Sequence, residues 1–175
     1  MRKLLCPWCI VKVGLPEGLA AMRETVRSYL SDFGHPGDRA YGVCLLLTEF
    51  LANCEKHKTG DDQALVVLYD QGDKGLRVTV SLASLHNPVA RKRCQDGIDA
   101  TATYRPDDHL KEEGGRGLHL ARIYTEWIDV SIEDGRAVFI IPANERVAAV
   151  NDICQEECGG YDLRGQRNGP MALSA

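Results

Sequence analysis

The longest helical pattern in the sequence combines an apolar flank with one stripe of chemically versatile side chains. Glu49, Asn53 and His57 are spaced four residues apart, so a helix would line them up along one narrow stripe. The flank beside the stripe is apolar and consists of Leu45, Leu46, Phe50 and Leu51. A carboxylate, an amide and an imidazole in a row can orient a water, hold hydrated magnesium through an oxygen, or contact a phosphate. A solvated helix edge has the same spacing, and the stripe by itself favours that plainer interpretation.

A glycine-rich segment further along the chain changes that balance. It reads Glu113-Gly114-Gly115-Arg116-Gly117-Leu118, and apolar residues recur behind it at helical spacing, at Leu120, Ile123, Tyr124 and Trp127. Glycines at the start of a helix leave backbone N–H groups at its positive end open to a polyphosphate. A flexible turn before a helix is the plainer alternative.

In this order, the two motifs resemble the N box and the second glycine box of the GHKL (Bergerat-fold) ATPases, in particular those of bacterial anti-sigma-factor serine/threonine kinases. The resemblance covers residues 10 to 142. It implies ATP and magnesium as cofactors, with Glu49 as the catalytic base and Asn53 as the magnesium ligand. The nucleotide-binding residues that it implies are Asn53, His57, Gly114, Gly115, Arg116, Gly117 and Leu118. The implied partners are a sigma factor and an anti-sigma-factor antagonist, and a homodimer is a further option.

One box of the resembled family is missing from this chain. The family places an Asp-x-Gly box after the strand that here ends at Leu82, and its carboxylate reads the adenine amino group. Leu82 and Ser84 stand at the positions of the aspartate and the glycine. Asn87 or Ser84 could bind adenine instead, although both residue types are also ordinary in turns before a proline. Adenine selectivity is therefore in question.

The remaining pattern predicts hairpins with intervening helices. A buried run at 64–69, a glycine turn at 72–75 and strict alternation at 76–83 form one hairpin, and Asp134-Gly135 turns a second. An amphipathic helix precedes Gly34. Together these elements predict a two-layer α/β sandwich, with a mixed, largely antiparallel sheet and helices on one face. That architecture agrees with the Bergerat fold.

Residues 84 to 114 show no clean periodicity, and a connection of this length is usually functional or disordered. In the resembled family this region is a lid over the nucleotide. The basic cluster Arg91-Lys92-Arg93, or Lys111, would then contact phosphate; an exposed charge run is the plainer interpretation.

Composition and charge narrow the function classes. The chain has 175 residues, of which 44% are hydrophobic, enough for one domain. We expect a segment at 1–9, the ATPase domain at 10–142, and a C-terminal helix with a mobile tail at 143–175. The net charge of −4 provides no basic field for nucleic acid or an anionic membrane. No apolar run approaches the roughly 20 residues of a membrane span, so we expect a cytoplasmic protein.

The seven cysteines suggest thiol or metal chemistry. Cys6 and Cys9 precede the first predicted strand at 10–13, and Cys154 and Cys158 lie near the other end of the chain. Four thiolates from these two pairs could form a zinc site or a set of redox pairs. The distance between the pairs along the chain argues against it.

Three functions follow from these motifs. The first is an anti-sigma regulatory factor that phosphorylates its antagonist on a serine or threonine. The second is a catalytically degenerate binding module of the same fold that grips a partner protein. The third is an ATPase or sensor domain controlled through its cysteines.

Overall fold

The computed structural model describes residues 6–56, 63–103 and 116–143. These residues form five strands and four helices, joined in part by short 3-10 turns at Gly72–Lys74 and Ala83–His86. In chain order the elements are β1 (Trp8–Gly14), α1 (Leu19–Asp32), α2 (Gly37–Glu55), β2 (Gln63–Asp70), β3 (Leu76–Ser81), α3 (Pro88–Thr103), α4 (Arg116–Thr125), β4 (Asp129–Glu133) and β5 (Arg136–Ile141).

The strands form one sheet in the order β1-β2-β3-β5-β4. All pairings in the described part of the chain are antiparallel, so the sheet there is antiparallel where the sequence suggested a mixed one. Leu76, Val78 and Val80 are buried, as their alternation predicted. The predicted α/β sandwich is confirmed.

The core lies between one face of the sheet and the helices. α1 contributes Met22, Val26 and Leu30, all fully buried. The ring of Phe50 in α2 packs edge-on against Phe139 of β5, with 5.3 Å between ring centroids. α2 therefore lies directly on the sheet, and its position relative to the strands is set by apolar packing.

The region expected to be an irregular lid contains α3. Its buried residues are Ala90, Cys94, Ile98 and Thr101, a helical spacing of mostly small or polar side chains that gives a weak hydrophobic pattern. Asn87 caps its start, because the Asn87 Oδ1 accepts a hydrogen bond from the Val89 N–H at 2.9 Å. Lys92 and Asp96 pair one turn apart at 2.8 Å. The prediction of an irregular connection was therefore wrong for 88–103, while 104–114 lies outside the described residues.

The helix predicted behind the glycine-rich segment is present as α4, but its buried face differs from the apolar stripe. Leu118, Ala121 and Thr125 are buried. Of the four stripe residues, Leu120, Ile123 and Tyr124 are 43%, 55% and 43% exposed, whereas Trp127, which lies beyond the end of α4, is buried at 6% exposure. Apart from Leu118, the inward-facing side chains are small because α4 packs closely against α2, and Leu120, Ile123 and Tyr124 remain outside.

Two boundaries differ from those predicted. β1 begins at Trp8, so Cys9 lies within the first strand instead of before it. α2 begins at Gly37 after Pro36, and Asp38, the predicted cap, lies in the first turn. The last described residue of the domain is 143, so the predicted C-terminal helix and tail lie outside the described residues. Of the helices in the described ranges, none combines the length and apolar character that a membrane span requires.

Candidate functional site

α2 and α4 run antiparallel and approach each other closely at two glycines. A Cβ atom at Gly42 would overlap the Cβ of Tyr124, and a Cβ at Gly117 would overlap the carboxyl group of Glu49. Gly42 and Glu49 are seven residues apart on α2, as are Gly117 and Tyr124 on α4, a distance of about 10 Å along each helix. The two helices are therefore in register over this distance, with the glycine-rich end of α4 beside Glu49.

Glu49 is half-buried, and its carboxyl group lies against the first turn of α4. The first N–H groups of a helix have no partner within the helix and carry its positive dipole end. A carboxylate is favoured in that position, and so is an anionic phosphate. The structure thus brings together the predicted base and Gly117 of the glycine-rich segment.

Asn53 lies one turn after Glu49 on α2 and is also half-buried. Its Oδ1 accepts a long hydrogen bond, 3.5 Å, from the Nζ of Lys56. One weakly engaged amide oxygen beside a carboxylate fits Mg²⁺, which keeps several waters and takes few protein ligands. No group of three or more His, Cys, Asp or Glu able to hold a metal occurs among the described residues, so a metal held mainly by side chains finds no support there.

The other predicted nucleotide-binding residues divide into three sets. Arg116 is exposed at the first residue of α4. Leu118 is 4% exposed and belongs to the core, so only its backbone remains for a ligand. His57, Gly114 and Gly115 lie outside the described residues.

At the position of the missing Asp-x-Gly box, the structure has a buried apolar side chain. Leu82 is 3% exposed, and its backbone N–H bonds the carbonyl of Gly135 at 3.0 Å. Ser84 is buried as well, and among the described residues its Oγ has no hydrogen-bond partner. The Oδ1 of Asn87 caps α3. The predicted contact of this residue with adenine stays a prediction.

The basic cluster before the glycine-rich segment lies on α3. Arg91 donates to the carboxylate of Asp134 at 2.5 Å and to the carbonyl of Leu85 at 3.2 Å. The hydrogen bond from His86, followed by that from Arg91, holds the pKa of Asp134 below its ordinary value. Arg91 thus connects α3 to the β4–β5 hairpin, which supports the structural interpretation over a phosphate contact for this residue.

A pair of thiols that the sequence did not indicate joins α2 to α3. The Sγ atoms of Cys54 and Cys94 are 3.5 Å apart in the core. The hydrogen bond from Cys54 lowers the pKa of Cys94, although burial opposes this. At the other end of α3, the Oγ1 of Thr101 accepts from Arg122 of α4 at 3.0 Å. α3 therefore contacts both helices of the site. No spacing rule connects two cysteines 40 residues apart.

Of the two cysteine pairs predicted to form a zinc or redox site, only Cys6 and Cys9 lie within the described residues. Cys6 is exposed and Cys9 half-buried, and burial raises the pKa of Cys9, with a smaller contribution from Cys6. Cys154 and Cys158 lie outside the described residues, so the predicted zinc or redox set is not tested.

A second polar cluster lies at the opposite end of α2. The Nε2 of His35 is 2.9 Å from the Oδ2 of Asp70, and both side chains are almost fully buried. The Asp70 Oδ1 accepts from the Gly72 N–H at 2.8 Å. Arg39 donates to the carbonyl of Pro142, and burial lowers its pKa while the charge of Asp70 raises it. This cluster joins α2 to the ends of β2 and β5.

The comparison with known proteins identifies the family of this domain. Residues 14–141, well over half of the chain, match the family described as the histidine kinase-like ATPase domain. That range includes α2, α3, α4 and the contact between Glu49 and Gly117. No curated protein matches the chain significantly. By the extent of the family match, this chain belongs to the histidine kinase-like ATPase domain family.

Proposed function

We propose that this protein is an anti-sigma regulatory factor that binds ATP and phosphorylates a serine or threonine of an antagonist protein. The observation that supports it best is the contact between the Glu49 carboxyl group and the backbone of Gly117. Each motif alone fits a solvated helix edge or a turn. Their contact produces one site with a carboxylate, an amide oxygen and a helix N-terminus.

In this proposal Glu49 accepts the proton of the acceptor hydroxyl. The hydroxyl oxygen attacks the γ-phosphorus of ATP, the bond from that phosphorus to the bridging oxygen breaks, and ADP leaves. Asn53 would hold magnesium through its Oδ1, and the ion would neutralise phosphate charge when bound. Gly117 lets the start of α4 approach Glu49, where backbone N–H groups can receive the phosphates. A sigma factor would be the second partner and would bind at a surface separate from the nucleotide site. This chain would bind it as a monomer or as a homodimer.

The alternative is a binding module that keeps the fold and has lost turnover. The observation in its favour is Leu82, which is 3% exposed at the position where the resembled kinases carry the adenine-reading aspartate. A missing charged hydrogen bond weakens binding by about 1.5 to 3 kcal/mol, roughly tenfold to a hundredfold. Such a loss lowers affinity without abolishing a site that contacts the phosphates.

Phosphate transfer from radiolabelled ATP to an anti-sigma-factor antagonist protein tests the proposal. Glu49→Gln keeps the shape of the side chain and removes the base, so we expect unchanged ATP affinity and a rate lower by about a hundredfold or more. Glu24→Gln makes the same change on the exposed face of α1 and should leave the rate unchanged. If neither wild type nor variant transfers phosphate while ATP binds, the binding module replaces the kinase.

Calorimetry with and without magnesium tests the role of Asn53. Asn53→Ala removes the proposed magnesium ligand, so the magnesium-dependent part of ATP binding should disappear. Gln95→Ala removes a surface amide of α3 that bonds Asp99 at 2.8 Å, and it should bind as wild type does. Equal magnesium dependence in Asn53→Ala and wild type would refute this role.

A further inference from the structure

Two buried thiols connect α2 to α3 directly beside the proposed magnesium ligand. Cys54 follows Asn53 on α2, and Cys94 lies on the buried face of α3. The two residues are 1% and 5% exposed, and their Sγ atoms are 3.5 Å apart. Because 40 residues separate them in the chain, this contact depends on how the two helices pack.

We propose that Cys54 and Cys94 are a redox-sensitive pair that closes into a disulfide, fixes α3 on α2 and slows nucleotide exchange at the adjacent site. A disulfide holds its sulfurs about 2.05 Å apart, so the pair must approach by about 1.5 Å from the observed contact. Side-chain rotation and a small helix shift can supply that movement. The effect on nucleotide exchange rests on the proposed function, whereas disulfide formation does not.

Hydrogen peroxide suits this chemistry because it is small and accepts two electrons. One cysteine sulfur attacks a peroxide oxygen and the O–O bond breaks, which leaves a sulfenic acid and one water. The second sulfur then attacks the sulfenic sulfur, the S–S bond forms, and a second water leaves. In sum the two thiols lose two protons and two electrons, and one peroxide is reduced to two waters.

The position of α3 explains how this bond would reach the site. Cys94 holds the middle of α3 against α2, and Thr101, near its end, contacts α4. The Nδ1 of His119 in α4 also lies 3.4 Å from the Thr101 carbonyl oxygen. α3 therefore packs on both helices that carry the motifs. A covalent bond to α2 would reduce its movement relative to Asn53 and hence the opening needed for nucleotide entry and release.

Cys44 provides a matched control within the same helix. It is 2% exposed on α2, and its Sγ donates to the carbonyl of Arg23 at 3.5 Å. It is therefore equally buried, but its hydrogen-bond acceptor is a backbone oxygen instead of a sulfur. If the close contact between Cys54 and Cys94 is only core filling, all three cysteines should tolerate alanine without any change in response to oxidant.

The test uses the full chain, reduced and then treated with hydrogen peroxide. Trypsin leaves Cys44 and Cys54 in one peptide, between Arg39 and Lys56, so mapping in the Cys44→Ala background assigns the cross-link uniquely. We expect a peptide pair that joins Cys54 to Cys94 and is lighter by two hydrogens, together with slower deuterium uptake in α3. Release of a fluorescent ATP analogue should slow by about fivefold or more, the low end of typical coupling between sites, and dithiothreitol should reverse the change.

The variants decide between a redox pair and plain packing. Cys54→Ala and Cys94→Ala should lose the response to peroxide, and Cys44→Ala should keep it; if one of the first two fails to fold, the other decides. Absence of the Cys54–Cys94 cross-link, or oxidised protein that releases nucleotide as fast as reduced protein does, would overturn the proposal. If the reduced protein binds no nucleotide, the proposed function fails, and the cross-link with deuterium uptake still decides whether α3 becomes fixed on α2.

Discussion

The carboxyl group of Glu49 occupies the space that a side chain at Gly117 would need. This contact connects the middle of α2 to the first turn of α4, and it depends on the absence of a Cβ atom at Gly117. Any side chain at this position would displace the Glu49 carboxyl group, so the close approach of the two helices requires glycine here.

Gly117→Ala should therefore separate stability from activity. The new Cβ would overlap the end of a flexible side chain, which can rotate away, so the free energy of unfolding should stay within about 1 kcal/mol of wild type. The Glu49 carboxyl group would leave its position, and phosphate transfer should fall by about tenfold or more. Urea unfolding and the transfer assay measure the two effects.

Two other helical glycines serve as comparisons for this variant. A Cβ atom at Gly97 in α3 would meet nothing within 4 Å, so Gly97→Ala should stabilise the protein by about 0.5 to 1 kcal/mol and leave the rate unchanged. Gly42→Ala would press against the Cβ of Tyr124, close to the backbone of α4, and should cost about 1 to 3 kcal/mol. Full activity in Gly117→Ala would show that the Glu49 position is unimportant for transfer.

Base selectivity offers a second test, because the adenine-reading carboxylate is replaced by a buried leucine. Without a charged acceptor at Leu82, ATP and GTP should compete for the site with affinities within about tenfold of each other. Displacement of a fluorescent ATP analogue by each nucleotide measures the ratio. A preference for ATP of about a hundredfold or more would mean that another group reads adenine.

Ser84 is the first residue to examine in that case. Its Oγ is buried and has no hydrogen-bond partner within the described ranges, and a hydroxyl in that state is available to a ligand or a water. Ser84→Ala should then reduce the preference for ATP and leave GTP affinity unchanged. Equal loss for both nucleotides would indicate a general packing effect.

The sheet was predictable from sequence because buried and exposed residues alternate along its strands, as the side-chain directions of a strand do. Leu76, Val78 and Val80 point to the core, and Arg77 between them is exposed. α3 escaped prediction because the side chains on its buried face include Ala90, Cys94 and Thr101, which carry little hydrophobic signal. The capping residue Asn87 and the ion pair of Lys92 with Asp96 indicate this helix more clearly than its apolar pattern does.

The individual motifs of the candidate site could be predicted from the sequence itself. That they combine into one site could be predicted only through the resemblance. Helical spacing places Glu49 and Asn53 on one stripe of α2, but nothing in that spacing indicates a partner helix. The contact with Gly117 depends on the antiparallel packing of α2 and α4, a tertiary relationship. The same holds for Cys54 and Cys94, which belong to no motif and meet only in the folded chain.

The buried pair of His35 and Asp70 gives a test of stability that is independent of the site. Asp70→Ala would remove the acceptor for His35 and for the Gly72 N–H, both inside the fold, together with a negative charge that favours the ionised form of Arg39. Breaking a buried pair from one side typically costs about 3 to 5 kcal/mol, because the remaining polar groups stay desolvated.

Asp73→Ala changes the same residue type in the adjoining turn, where the side chain is exposed, and it should cost under about 0.5 kcal/mol. Denaturant unfolding of both variants measures the difference. Asp70→Asn keeps an acceptor for Gly72 and a polar partner for His35, so its cost should fall between the two. Equal stability of Asp70→Ala and Asp73→Ala would mean that water replaces the lost carboxylate, and that the cluster contributes no net stability to the junction of α2 with β2.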